Sequence, residues 1–207
     1  MLMCMRGVVI VGMVLGLPLG VAAEDLPAHT FRTLPPSQMP LQELNASAPT
    51  LLGQLSRTYT TPKAIAAWLH RDFTFRRDED QFGEIDRWQA PEEFAVSKIG
   101  DCEDYALLAQ ALLRRNGIEA FVLSLFGEEG YAHTVSVFVD AEGRYNVINQ
   151  DQVRYYRAKS LEDLASAIYP AWTFGGIAER DGTRGRLVRE IINEHPAPAF
   201  EELASVF

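Results

Sequence analysis

The chain has 207 residues, 47% of them hydrophobic, with 19 Lys and Arg against 28 Asp and Glu and a formal net charge of −9. That acidity excludes nucleic acid as a natural partner, because phosphates are held by clusters of lysine and arginine. Length and apolar content suit one globular domain with a full core, and there is no internal repeat or low-complexity tract.

Met1 to Arg6 is short and positively charged, Gly7 to Val21 is apolar apart from its glycines and Pro18, and Val21-Ala22-Ala23 puts small residues before Glu24. The pattern predicts a secretory signal peptide over 1–23, cut after Ala23. Its apolar run falls short of the roughly 20 residues of a membrane helix, so no stable membrane span is expected after cleavage. The expected location is a bacterial periplasm or the outside medium. Cys4 would leave with the leader, so the mature chain keeps one thiol, Cys102, and no intramolecular disulfide. A single thiol in an oxidising compartment points to reactivity or intermolecular pairing.

Residues 24–56 carry Leu34-Pro35-Pro36, Met39-Pro40 and Ala48-Pro49, which break any period and predict an extended arm. The domain is expected over 57–195, and 196–207 reads as a loosely docked tail. Thr61-Pro62 predicts a helix start, with Ile65, Trp68 and Leu69 on one face. Phe73-Thr74-Phe75 alternates like a strand before a charged loop over Arg76 to Asp80, and Pro91-Glu92-Glu93-Phe94 opens a short second helix.

Gly100-Asp101-Cys102-Glu103-Asp104-Tyr105-Ala106 starts a third helix, capped by Asp101 with Asp104 reaching back, and Asn116-Gly117 stops it. Unpartnered N–H groups and the helix dipole favour a thiolate at such a start. The period then changes to 2, with strands over 118–126, 131–139 and 144–149 joined by turns. Leu161 to Ile168 returns to helical spacing, and Trp172 to Ile192 reads as a hairpin turning at Asp181-Gly182. The fold class is therefore α+β, a nucleophile helix packed on an antiparallel sheet.

His133 is the histidine to pair with Cys102, because an imidazole inside the apolar strand Thr134-Val135-Ser136-Val137-Phe138-Val139 needs a polar reason to be there. Asn149 and Asp151, at the end of the next strand, are both candidates to accept the ring's Nδ1 proton. A three-residue loop, with Val139 opposite Gly143, sets Asn149 opposite His133 and is favoured; a five-residue loop sets Asp151 there. A depressed thiol pKa is expected, with protonated His133 at contact distance outweighing Asp101 and Glu103.

Together with Arg87-Trp88-Gln89-Ala90-Pro91-Glu92-Glu93-Phe94, Tyr131-Ala132-His133-Thr134-Val135 and Tyr145-Asn146-Val147-Ile148-Asn149, the cysteine segment resembles the transglutaminase-like superfamily, and within it the bacterial transglutaminase-like cysteine proteinases. The resemblance covers about Thr60 to Asp151. It implies a papain-like core and a triad on Cys102, His133 and Asn149, the last standing where the family usually has aspartate. It further implies acyl transfer through a thioester, with the Cys102 N–H and the Trp88 indole or Gln89 amide facing the oxyanion. Related proteinases hold calcium with carboxylates flanking the cysteine, here Asp101 and Glu103; two ligands are too few to define a site, so no cofactor is assigned and calcium at these two acids stays open. The leading reading is an exported peptidase or amidase acting on a protein or peptide in the cell envelope. A protein-glutamine acyl transferase and a non-catalytic binding domain are the alternatives.

Overall fold

The computed structural model describes residues 50–197. The expected leader, most of the arm and the end of the tail lie outside the described residues. Helix α1 (Leu51–Thr58) is capped by Thr50, whose side chain accepts from the Gly53 N–H. It falls where the arm was expected to run on to residue 56, so the ordered domain starts earlier than 57. Helix α2 (Pro62–Asp72) begins as expected, with Thr61 as cap and proline in the first turn. Strand β1 (Thr74–Phe75) pairs with β2 (Ile99–Gly100), between which lie α3 (Asp78–Phe82) and α4 (Pro91–Ser97). Helix α3 replaces part of the expected charged loop; three acids in its first turn and Gly83 at its left-handed end (φ 71°) stabilise it.

Helix α5 (Cys102–Arg115) is the central element. It lies against a six-stranded antiparallel sheet in the order β6-β5-β4-β3-β7-β8, comprising β3 (Ala120–Gly127), β4 (Ala132–Val139), β5 (Tyr145–Asn149), β6 (Gln152–Ala158), β7 (Trp172–Asp181) and β8 (Arg184–Ile192). Helix α6 (Leu161–Ile168) follows β6. The α+β class and the helix-on-sheet packing are as expected. Strand β6 was not foreseen.

Strand alternation divides the core. Ala120, Phe138 and Ile148 face the helices and join Ile65, Leu69, Phe94, Leu108 and Leu112 in one cluster. Leu123, Leu125, Val135, Val137 and Val147 face the other way and pack with Leu161 and Leu164 of α6. An aromatic chain runs through the first cluster: Phe94 lies 4.8 Å from Phe73 and 5.0 Å from Tyr105, between ring centroids.

The β4–β5 register corrects the expectation. Val139 stands opposite Tyr145, the longer loop, and not opposite Gly143. Asp140 supplies the cause: its carboxylate accepts from the Arg144 N–H at 2.8 Å while its own N–H donates to the Arg144 carbonyl at 3.0 Å, closing the turn one step later. Among the described residues no helix is long and apolar enough to cross a membrane.

Phe94 is fully buried, whereas its neighbour Val96 is 73% exposed. Phe94→Ala should cost about 3–5 kcal/mol of unfolding free energy, and Val96→Ala about 0.5 kcal/mol or less. Urea denaturation of both variants checks the assignment of the core.

Candidate active site

Cys102 is the first residue of α5, after Asp101 in extended conformation. Asp101 makes no side-chain capping bond. Asp104 does not reach back either; its buried carboxylate accepts from the Gln89 backbone N–H at 2.8 Å and from Gln89 Nε2 at 2.5 Å. The expected capping box is therefore absent, and Asp104 instead ties the helix start to the segment before α4.

The Cys102 thiol is half-buried and donates to Glu103 Oε2 at 3.2 Å. The Thr134 backbone N–H, next to His133 in the chain, also meets the sulfur. Burial pushes the thiol pKa well above its ordinary value, and the charges of Glu103 and Asp101 push it further, against the weaker pull of that N–H. The expected depression is thus overturned. Desolvation and two adjacent acids outweigh the helix start, and burial also lowers the His133 pKa against the opposing bond to Asn149, which disfavours the cation that would support a thiolate.

His133 and Asn149 are brought together directly, with His133 Nε2 2.9 Å from Asn149 Oδ1. The amide oxygen accepts, so Nε2 carries the hydrogen and Nδ1 keeps its lone pair. The bond thus uses the other ring nitrogen from the one expected. Asp151 is held elsewhere, by His70 Nδ1 of α2 at 2.7 Å. Asn149 reaches the ring although the ladder is in the longer-loop register, because residues two apart on a strand share a face.

A cavity of about 310 Å³ opens beside Cys102. Its walls include Trp88, Ser124, Phe126, Ala132, Thr134 and Leu187. His133, between Ala132 and Thr134, takes the alternate direction toward Asn149. The two side chains expected to complete an oxyanion site are committed elsewhere. Trp88 donates its indole N–H to Asp86 at 3.0 Å, and Gln89 Nε2 serves the Ile99 carbonyl at 2.9 Å as well as Asp104.

Beneath the cysteine lies a carboxylate cluster, of which only Asp101 and Glu103 were expected. Ligand oxygens of Asp78, Asp101 and Asp104, and of Asp78, Asp86 and Glu103, lie within 4.8 Å of one another. Asp78 Oδ1 and Asp101 Oδ1 are buried without a hydrogen-bond partner. Burial pushes the Asp78, Asp101 and Glu103 carboxyls up, and Asp104 to about 7. Asp78 fell in the expected charged loop over Arg76 to Asp80, and nothing in the pattern marked Asp86.

A family model for a transglutaminase-like domain matches residues 46–164, more than half of the chain. Among solved structures, calcium-bound LapG of Legionella pneumophila is similar at 18% identity, covering 72% of this chain and 88% of LapG with a TM-score of 0.44. EGTA-treated LapG is similar at 17% identity over 61% and 72% with a TM-score of 0.43. A candidate cysteine protease of Cytophaga hutchinsonii is similar at 13% identity over 79% and 59% with a TM-score of 0.41. No curated protein matches the sequence.

Asp104 binds its proton in the fold up to about pH 7 but releases it near pH 4 when unfolded, so unfolding releases protons between those values and stability falls as pH rises. Asp101 and Glu103, shifted the same way, add to the slope. With EDTA present, the melting temperature should therefore be higher at pH 5 than at pH 7.5, and Asp104→Asn should flatten the difference.

Proposed function

The chain belongs to the transglutaminase-like domain family, and from that membership we propose that it is an exported cysteine-dependent amide hydrolase acting on a protein or peptide of the cell envelope. One observation carries the reading: the 2.9 Å bond from His133 Nε2 to Asn149 Oδ1, which leaves Nδ1 as the ring's base, on the residue next to the Thr134 N–H that meets the Cys102 sulfur. Export rests on the leader over 1–23, with the mature chain starting near Glu24.

In this reaction the Cys102 thiol, which is bonded to Glu103 and not to His133, leaves that bond, and its proton passes to His133 Nδ1 once the imidazole turns to the sulfur. The thiolate attacks the carbonyl carbon, and the backbone N–H of Cys102, which has no intrahelical partner in the first turn of α5, stabilises the oxyanion. The imidazolium protonates the departing amine, leaving a thioester. Water, deprotonated by His133, then hydrolyses it. Asn149 holds the ring in the tautomer this sequence needs.

The carboxylate cluster fits a divalent cation. It offers only hard oxygen ligands, two of them unpartnered and buried, which is the donor set calcium takes. Asp78 would hold the ion together with Asp101 and Asp104, or with Asp86 and Glu103. Bound there, calcium would neutralise the acids against which a thiolate has to form.

Cys102→Ala should abolish turnover of a casein substrate. Asn149→Ala should lower kcat by about 10²-fold or more through loss of the tautomer, whereas Asp151→Ala, removing a group held by His70, should stay within about threefold by the same reasoning. A larger loss in the Asp151 variant would transfer the orienting role. EGTA should lower both turnover and melting temperature, and added calcium should restore them; indifference of both to EGTA would remove calcium from the account. Adding glycine ethyl ester should leave the product hydrolysed, and amine incorporation would instead identify an acyl transferase.

A further inference from the structure

Ser124 of β3 and Thr134 of β4 stand opposite each other in the ladder, with their hydroxyl oxygens 2.9 Å apart. Both are nearly buried, at 3% and 6% exposure, and both line the cavity beside Cys102. On its other side Ser124 faces Gly176 of β7, which has no side chain to cover it. Two hydroxyls carry two hydrogens, and the mutual bond uses one. Whichever oxygen donates, the other keeps a hydrogen that has to find an acceptor. The space both side chains share is the cavity, and Thr134 is also the residue whose backbone N–H meets the Cys102 sulfur. The Trp88 indole and the Gln89 amide are already spent on Asp86, Asp104 and the Ile99 carbonyl.

We infer that the Ser124–Thr134 hydroxyl pair is a substrate-binding donor that gives its spare hydrogen to the oxygen of the carbonyl attacked by Cys102. The inference rests on Cys102 as the nucleophile and adds to that reading a second donor opposite the helix start. The pair has a property that a single donor lacks. Thr134→Val leaves the Ser124 hydrogen without its partner and therefore available, and Ser124→Ala does the same for Thr134. Only the double variant removes this second donor. Stability runs the other way, because stranding one member of a buried pair costs more than replacing both by apolar groups.

The test compares two reagents on the whole protein with calcium chloride present, following Cys102 by mass spectrometry. With p-nitrophenyl acetate, a bond forms between Sγ and the acetyl carbon, p-nitrophenolate leaves and the thiol proton passes through His133 to solvent. With methyl methanethiolsulfonate, a disulfide forms and methanesulfinate leaves, with no carbonyl involved. In Ser124→Ala/Thr134→Val, acetylation should slow about 10²-fold, the usual effect of losing one oxyanion donor, while methylthiolation stays at the wild-type rate. Each single variant should acetylate within about tenfold of wild type by the same reasoning, yet melt lower than the double, and Thr134→Ser should behave as wild type. Acetylation of the double variant at the wild-type rate overturns the inference. Equal slowing of both reagents also overturns it, since the pair would then act on the thiol or on its access. If His133→Ala leaves both rates unchanged, the cysteine–histidine reading falls, while the ratio of the two rates in the double variant still decides on the hydroxyl pair.

Discussion

The buried Asp104 carboxylate is the constraint on which the site depends. It has no exposed surface and accepts twice from Gln89, through the backbone N–H and the side-chain amide. A carboxyl this deep is tolerable only with such bonds. Their consequence is that the segment 86–89 cannot move independently of the first turn of α5. Trp88 follows from the same tether. Its N–H donates to the Thr183 carbonyl at 3.0 Å, its own carbonyl accepts from Arg180 Nε at 2.8 Å, and its ring occupies the space a Cβ on Gly185 would need. One buried acid thus links the cysteine helix to the β7–β8 hairpin, and with it both walls of the cavity.

That arrangement sets up an electrostatic conflict. The start of α5 favours an anion through its free N–H groups and dipole, an effect of about 0.3–2 kcal/mol. Asp101 and Glu103 occupy the same place in the chain, and the structure adds Asp78 and Asp86 from the segment before α4. A unit charge about 5 Å away, at an effective dielectric near 20, is worth roughly 3 kcal/mol, so even one ionised neighbour exceeds what the helix start offers. Burial raises the Cys102 pKa first, and the charges of Glu103 and Asp101 raise it further. The expected depression of the thiol required a positive charge on His133, and burial lowers the pKa of that ring.

How much could be read in advance follows from which interactions are local. Helices α2 and α4 announce themselves by proline in the first turn, α5 by its cysteine motif and its Asn116-Gly117 end, and the hairpin by Gly182 at its turn. Cys102 was legible from its place at a helix start and His133 from its apolar strand, while Asn149 competed with Asp151 until the resemblance favoured it; His133 and Asn149 are in direct contact. Helix α1 was lost among the prolines that precede it. Strand β6 is a sheet edge with most side chains exposed, so it lacks the apolar alternation that marks an inner strand. The β4–β5 register hinged on a side-chain bond from Asp140, which loop-length preference does not contain. The acid cluster gathers residues from 78 to 104, and only folding reveals that they converge.

Asparagine at position 149 makes sense against this background. An aspartate there would stabilise an imidazolium, but it would also bring one more carboxylate into a site already lined with them. The amide accepts the Nε2 hydrogen equally well and adds no charge. Asp151, two residues on in the chain, is held instead by the exposed His70 of α2, and its charge is felt at Tyr105, whose pKa is raised to about 12 first by burial and then by Asp151. On the proposed reading, orientation and charge are therefore divided between two places. Asn149 sets the tautomer, while the charge balance needed for a thiolate belongs to whatever occupies the carboxylates beneath Cys102. An aspartate orienter would combine both roles in one residue; on the proposed reading the second would fall to the carboxylates grouped with Asp78 and to a cation held by them.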